Sequence, residues 1–179
     1  VKDSLSWALA FLRKEAGALT RVHPMIKSPP DEVLGITSDA SPWGIGAVLT
    51  RNGTPTAWLA DHLHIEDLDR FSATLGDSAF TTTWEALTIL VALRAWTPMF
   101  SPTNRFALRS DSLGALSAIS KSASPSKGLS LSLQEIELDE AGQVWGFDSL
   151  THIPGIANTV ADPLASGLLQ QSPSHTSPV

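Results

Sequence analysis

The chain reads as an α/β protein: a mixed five-stranded sheet with helices on both faces, in the order β-β-β-α-β-α-α-β-α. Three observations predict this. Three short apolar runs follow one another over 33–60, and Asn52-Gly53 between the last two is a strong hairpin signal. Beyond residue 80, strand-like and helix-like segments alternate, as parallel strands with helical crossovers do. Between these halves, TTTWEALTILVALRAW (81–96) is apolar nearly all round, through Trp84, Leu87, Ile89, Leu90, Val91, Leu93 and Trp96. A helix of that kind is largely buried.

The elements follow in order. Leu5, Ala8, Leu9, Leu12, Ala16 and Leu19 recur at helical spacing and predict a helix over 3–20. The three prolines of VHPMIKSPPDE (22–32) predict a linker, so residues 1–32 form an appendage and the compact domain spans 33–170. Strands are expected over 33–39, 44–50 and 54–60, then a polar loop over 61–79. Helix 81–96 is capped by Thr81, Thr82 or Thr83, carries Glu85 in its first turn, and is ended by Pro98 and Pro102. NRFALRSD (104–111) is a strand, 113–121 a helix, 122–128 a loop, and 129–141 another helix. The strand 144–153, the turn Pro154-Gly155 and the helix 158–170 complete the domain, and 171–179 reads as a disordered tail.

Composition narrows the function. The 179 residues suit one domain with an appendage, and 42% apolar residues suffice for a core. There is no long apolar run and no signal-peptide pattern, so a membrane span or secretion is not expected. The absence of cysteine excludes disulfides and thiolate metal sites and fits a reducing, intracellular setting. Val1 stands where an initiator Met would, so a longer parent polypeptide is expected. The net charge of −6 argues against a free-standing nucleic-acid binder.

Four acids end or line core elements: Asp39 and Asp111 close strands, Glu85 lies on the buried helix, and Asp162 opens the last helix. Each has an ordinary structural explanation. Asp39 can cap the Ser-Pro-Trp-Gly turn. Asp111 can cap helix 113–121. Glu85 suits a helix N-terminus, and Asp162-Pro163 suits a cap followed by proline. Together, however, four acids at one sheet edge repel one another unless cations lie between them. Hard divalent ions take such oxygen ligands, and pairs of them support phosphodiester hydrolysis.

The segments ITSDAS-x-x-GIGAVL, WEALTILVAL, LRSDSLGAL and THIPGIANTVADPLAS resemble the ribonuclease H domain of retroelement reverse transcriptases, LTR- or DIRS-like, over residues 33–168. The resemblance implies a ribonuclease H-like fold and a metal-dependent endonuclease that cuts the RNA strand of RNA–DNA hybrids. It implies two Mg²⁺ ions, which Mn²⁺ can replace, and a reverse transcriptase domain in the same polyprotein. Asp39 would bridge both metals, Glu85 and Asp111 would hold one, and Asp162 the other. Ser112, Trp43, Lys121 and Lys127 are candidate substrate contacts, with His152 and Asn158 as accessory candidates. Asn158 would cap the last helix or order the loop before Asp162. Two departures stand out: Ile156 sits where many relatives carry a loop histidine, and Pro163 follows the last acid. A catalytically inactive connecting domain is the alternative, and a different nuclease or integrase of the same superfamily is a third reading. Asp61-His62-Leu63-His64 has the spacing of a metal site, but polar loops contain it by chance. Gly44 and Gly46 are expected to ease hairpin twist or substrate approach. Trp58, Trp84, Trp96 and Trp145 are expected in the core.

Overall fold

The computed structural model describes residues 33–100, 105–142 and 146–167, together with Ser6, Leu9, Ala10, Leu12 and Arg13. Ser6, Leu9, Ala10 and Leu12 are helical. The rest of the expected N-terminal helix, the linker over 22–32, Pro102, Trp145 and the tail over 171–179 lie outside the described residues.

Strands β1 (Leu34–Ala40), β2 (Gly44–Arg51) and β3 (Thr54–His62) form an antiparallel meander. Asn52 (φ 50°) and Gly53 (φ 80°) take the left-handed conformations that a tight hairpin needs. Asn52 also locks the sheet edge: its Oδ1 accepts the Val33 N–H at 2.9 Å, and its own N–H donates to the Val33 carbonyl at 2.8 Å. Strands β4 (Arg105–Ser110) and β5 (Gly146–His152) join in parallel, giving the sheet order β3-β2-β1-β4-β5.

The helices are α1 (Ile65–Phe71), α2 (Thr81–Trp96), α3 (Leu113–Lys121), α4 (Lys127–Gly142) and α5 (Ala161–Ala165). Nearly every residue of β1 and of the first three quarters of β2 is buried, so helices cover both faces of these central strands. α2 packs on β1 and β2, and α5 packs on β2, β1 and β3. The main core joins Ile36 and Leu49 of the sheet, Ile89 and Leu93 of α2, and Leu116 and Ile136 of α3 and α4.

Five expectations are corrected. The polar loop over 61–79 contains α1, a seven-residue element rich in charge. Its buried Phe71 meets Trp84 edge-on at 5.3 Å, and Trp84 stacks on Phe80 at 6.1 Å, so a second small core sits beneath this segment. The cap of α2 is Phe80 rather than a threonine, with no side-chain bond. A 3₁₀ turn (Ser78–Phe80) leads into that helix, held by Asp77 accepting the Ala79 N–H, and Glu85 therefore lies beyond its first turn. The last helix begins after Val160, not at Asn158, because the 3₁₀ turn Gly155–Ala157 takes up the preceding chain. Finally, Trp58 is 53% exposed on the edge strand β3, whereas Trp84 and Trp96 are buried as expected.

Gly46 fixes where α5 can sit. A Cβ there would lie 2.5 Å from the Ala165 nitrogen and 2.7 Å from the Ala161 carbonyl. The close approach that this glycine permits is that of the chain's own last helix. Gly46 also faces Asp39 across the β1–β2 ladder, so the contact brings α5 to the strand position that carries the first acid.

Candidate active site

Asp39, the penultimate residue of β1, is 6% exposed. Asp111 directly follows β4, which pairs in parallel with β1, so the two acids emerge from neighbouring strands at the same sheet end. Glu85 reaches this end from α2 and is 2% exposed. Its Oε1 accepts the Ala40 N–H at 3.1 Å and its Oε2 the Ser110 hydroxyl at 3.2 Å. One carboxylate oxygen from each of Asp39, Glu85 and Asp111 lies within 4.8 Å of the others.

Asp162 stands in the first turn of α5, exposed. It does not belong to the set of three that converges within 4.8 Å, but its negative charge acts on Asp39. Pro163 also falls in that first turn, where a missing N–H breaks no helical bond. The departure flagged in the sequence is therefore accommodated locally.

Other groups have taken over the ordinary duties of these acids. Ser41, not Asp39, holds the β1–β2 turn: its Oγ accepts the Trp43 and Gly44 N–H groups at 3.2 and 3.0 Å. Ser112, not Asp111, caps α3, its Oγ accepting the Ala115 N–H at 3.2 Å. The Asp162 side chain is not the cap of α5, whose N-cap is Val160.

The electrostatics are those of carboxylates crowded together. Asp39 is raised from 3.8 to about 7, first by burial and then by the negative charges of Asp111 and Asp162. Glu85 is raised from 4.5 to about 8, first by burial and then by Asp39 and Asp111. The hydrogen bonds from Ala40 and Ser110 oppose these shifts without cancelling them. Among the described residues, no lysine, arginine or histidine forms an ion pair with any of the four acids. Buried, mutually repelling oxygen donors with no cationic partner suit a hard divalent cation.

Loop 153–160 closes one side. Gly155 lies against Asp111, 3.1 Å separating the Asp111 Oδ2 from the place a Cβ would occupy. Asn158 is 1% exposed and its Nδ2 donates to the Ser38 carbonyl at 3.3 Å. Its own backbone carbonyl accepts the Asp162 N–H. Asn158 thus ties the loop to β1 one residue before Asp39. Its side chain does not cap α5.

The remaining candidates lie around this centre. Trp43 is 58% exposed in the β1–β2 turn. His152 is exposed at the end of β5, opposite Ser110 in the ladder. Ile156 is 92% exposed on the loop beside Asp111. Lys121 and Lys127 are exposed at either end of the α3–α4 loop. Lys121 stands a helix length, roughly 13 Å, from the end of α3 beside Asp111. His62 and His64 do not join a metal cluster: His64 caps α1, its N–H donating to Asp67, and its ring meets Asp61 at 3.3 Å in solvent. Ser110, which the sequence reading passed over, is fully buried and joins Glu85 to the start of α3. Its hydroxyl donates to Glu85 and accepts the Ser112 N–H at 3.0 Å. Its place immediately before Asp111 was the available signal.

No family model and no curated protein matches the chain. Solved structures do match. The RNase H1 from the halophilic archaeon Halobacterium salinarum NRC-1 is 20% identical, with a TM-score of 0.58 over 78% of this chain and 98% of that one. LC11-RNase H1, solved in complex with an RNA/DNA hybrid, is 19% identical, with a TM-score of 0.58 over 75% of this chain and 94% of that one. The N-terminal RNase H domain of a Mycobacterium tuberculosis protein is 18% identical, with a TM-score of 0.53 over 76% and 96%. The fold of the chain is ribonuclease H-like.

Proposed function

We propose that this chain is a ribonuclease H: a divalent-metal-dependent endonuclease that hydrolyses the RNA strand of RNA–DNA hybrids. The observation that carries the reading is the close, buried set Asp39, Glu85 and Asp111, with the charge of Asp162 acting on Asp39. These acids stand at one end of a ribonuclease H-like sheet, and other residues perform the caps and turns that would otherwise explain them. An RNA/DNA hybrid is bound by one protein of the same fold.

Asp39, Glu85, Asp111 and Asp162 are the residues that would hold the cation, Mg²⁺ in this reading, with Mn²⁺ able to replace it. When bound, such ions supply water activation and charge neutralisation for phosphodiester hydrolysis. The protein's own part is positioning. Ala40 and Ser110 orient Glu85, Asn158 anchors the loop that leads to Asp162, and Gly46 lets α5 seat that acid beside Asp39. Ser112, although it caps α3, still has a hydroxyl proton to donate to a phosphate oxygen. Lys121 and Lys127 would meet phosphates farther along the duplex. A retroelement polyprotein, with a reverse transcriptase domain producing the hybrid, is the setting that the sequence motifs support.

The test is cleavage of an end-labelled RNA–DNA hybrid by the full chain with Mg²⁺ or Mn²⁺, beside Asp39→Asn. Metal-dependent cutting of the RNA strand alone, lost in the variant, is expected. Hybrid binding without cutting by folded protein would favour the inactive connecting domain, and cutting that survives Asp39→Asn would overturn the assignment of the site.

A further inference from the structure

The protein carries a net charge of −6, yet the proposed substrate is a polyanion. Among the described residues, two of the arginines are already engaged by acids, and the exposed Lys121 and Lys127 stand on the α3–α4 loop, a helix length from Asp111. Arg94 is committed to Asp139 at 2.6 Å and Glu135 at 2.7 Å, and Arg70 to Glu135 at 3.6 Å, all on α1, α2 and α4. The segments that flank the carboxylate centre carry exposed apolar side chains as well as polar ones.

Two exposed apolar side chains stand on opposite sides of it. Trp43 lies toward the β2–β3 side: its turn joins β1 to β2, and its carbonyl accepts the Leu63 N–H just beyond β3. Ile156 lies toward the β4–β5 side, adjoining the Gly155 that touches Asp111. Trp43 is also braced. The Gly76 N–H donates to the Pro42 carbonyl at 3.1 Å, and a Cβ on Gly76 would stand 3.5 Å from the indole Nε1. Gly76 has φ +85°, a conformation glycine adopts freely, so the loop backbone comes close against the ring. A half-exposed tryptophan with this backing gives contact area at little cost in conformational entropy.

We propose that Trp43 and Ile156 are the hybrid's main anchoring contacts beside the carboxylate centre, packing on sugar rings in the minor groove of the duplex. This rests on the ribonuclease H reading and names how that site grips its substrate. A hybrid's minor groove is wide and shallow, which exposes its sugars to such side chains. Binding that depends on apolar packing rather than on phosphate neutralisation has a shallow salt dependence.

The experiment is fluorescence anisotropy of a labelled RNA–DNA hybrid with the full-length chain, Trp43→Ala, Trp43→Phe and Ile156→Ala, across a salt series. Cleavage is followed in parallel, and circular dichroism confirms folding. Trp43→Ala is expected to weaken binding about tenfold and Ile156→Ala a few-fold. Trp43→Phe should stay within about threefold of wild type, and the salt slope should correspond to only one or two released counterions. In cleavage, Trp43→Ala should raise KM and spare kcat. Wild-type binding that is unchanged in both alanine variants, or that falls steeply with salt, overturns the anchoring proposal and leaves the nuclease reading standing. Binding that is lost in the alanine variants of a protein that cuts nothing supports the anchors and refutes the nuclease. A wild-type protein that does not bind hybrid overturns both.

Discussion

The carboxylate of Glu85 accepts the backbone N–H of Ala40 at 3.1 Å. The residue donating this bond is the immediate neighbour of Asp39, so a helix acid and a strand acid are held together through one peptide unit. The bond offsets part of the cost of burying Glu85. It also fixes the separation of two groups that would otherwise move apart.

Crowding of this kind predicts a conflict between stability and function. Asp39→Asn removes a buried charge from a repelling group and keeps nearly the same shape. In metal-free buffer at pH 8, the variant should melt about 2–4 °C above wild type by calorimetry. The same variant should lose the melting increase that millimolar Mg²⁺ gives the wild type. A lower melting temperature would show that Asp39 is held by an attraction the structure does not contain.

The pH dependence has a definite sign. Asp39 and Glu85 bind their protons more tightly in the folded chain, at about 7 and about 8, than at the ordinary values of 3.8 and 4.5. Their contribution to stability is complete below about pH 4 and is lost as pH rises toward 7–8. Without divalent cations, the contribution of this pair should therefore lower Tm from pH 5 to pH 8, more in wild type than in an Asp39→Asn, Glu85→Gln double variant. Cleavage should rise over the same interval, because the ionised carboxylates are the form that binds a cation.

Ser110→Ala removes the hydroxyl that donates to Glu85 and accepts from Ser112. Unfolding by urea should show a loss of about 1–2 kcal/mol. Titration calorimetry should show roughly tenfold weaker Mn²⁺ binding, the usual scale for a residue that orients a ligand. Ser110→Thr, which keeps the hydroxyl, should restore much of the affinity.

Gly46→Ala tests the seating of α5. Its methyl group would meet the Ala165 nitrogen at 2.5 Å, so helix and strand must separate. A destabilisation of about 2–3 kcal/mol is expected, with cleavage reduced far more than the remaining folded fraction explains. Arg94→Ala is the contrasting case. It breaks half-exposed ion pairs to Asp139 and Glu135 and should cost about 1 kcal/mol or less with cleavage unchanged.

The strands and the principal helices were legible in the sequence because their signals are local. Asn52-Gly53 forces a hairpin, and the apolar run from Trp84 to Trp96 admits only a buried helix. The positions of Asp39 and Asp111 followed from reading the strand ends. Helix α1 was not legible, since seven residues with four charges give no usable period and only Phe71 is buried. The caps that Asp39 and Asp111 could have supplied fall instead to serines two residues and one residue further on, Ser41 and Ser112. Serines and aspartates compete for the same N–H groups, and the choice depends on tertiary surroundings. The duty of Gly46 was equally hidden, because the helix that presses on it lies more than a hundred positions away in the chain.

That distance has a consequence for how the site comes into being. Asp39, Glu85 and Asp111 belong to the sheet and the helix that pack it, whereas Asp162 is delivered by five helical residues near the end of the described chain. Contacts of such high sequence separation form late and add the most to contact order. In the order of the chain, the three acids of the pocket precede the fourth by some fifty residues or more. In the ribonuclease H reading, the set of four acids is therefore complete only once α5 has packed on β1 and β2.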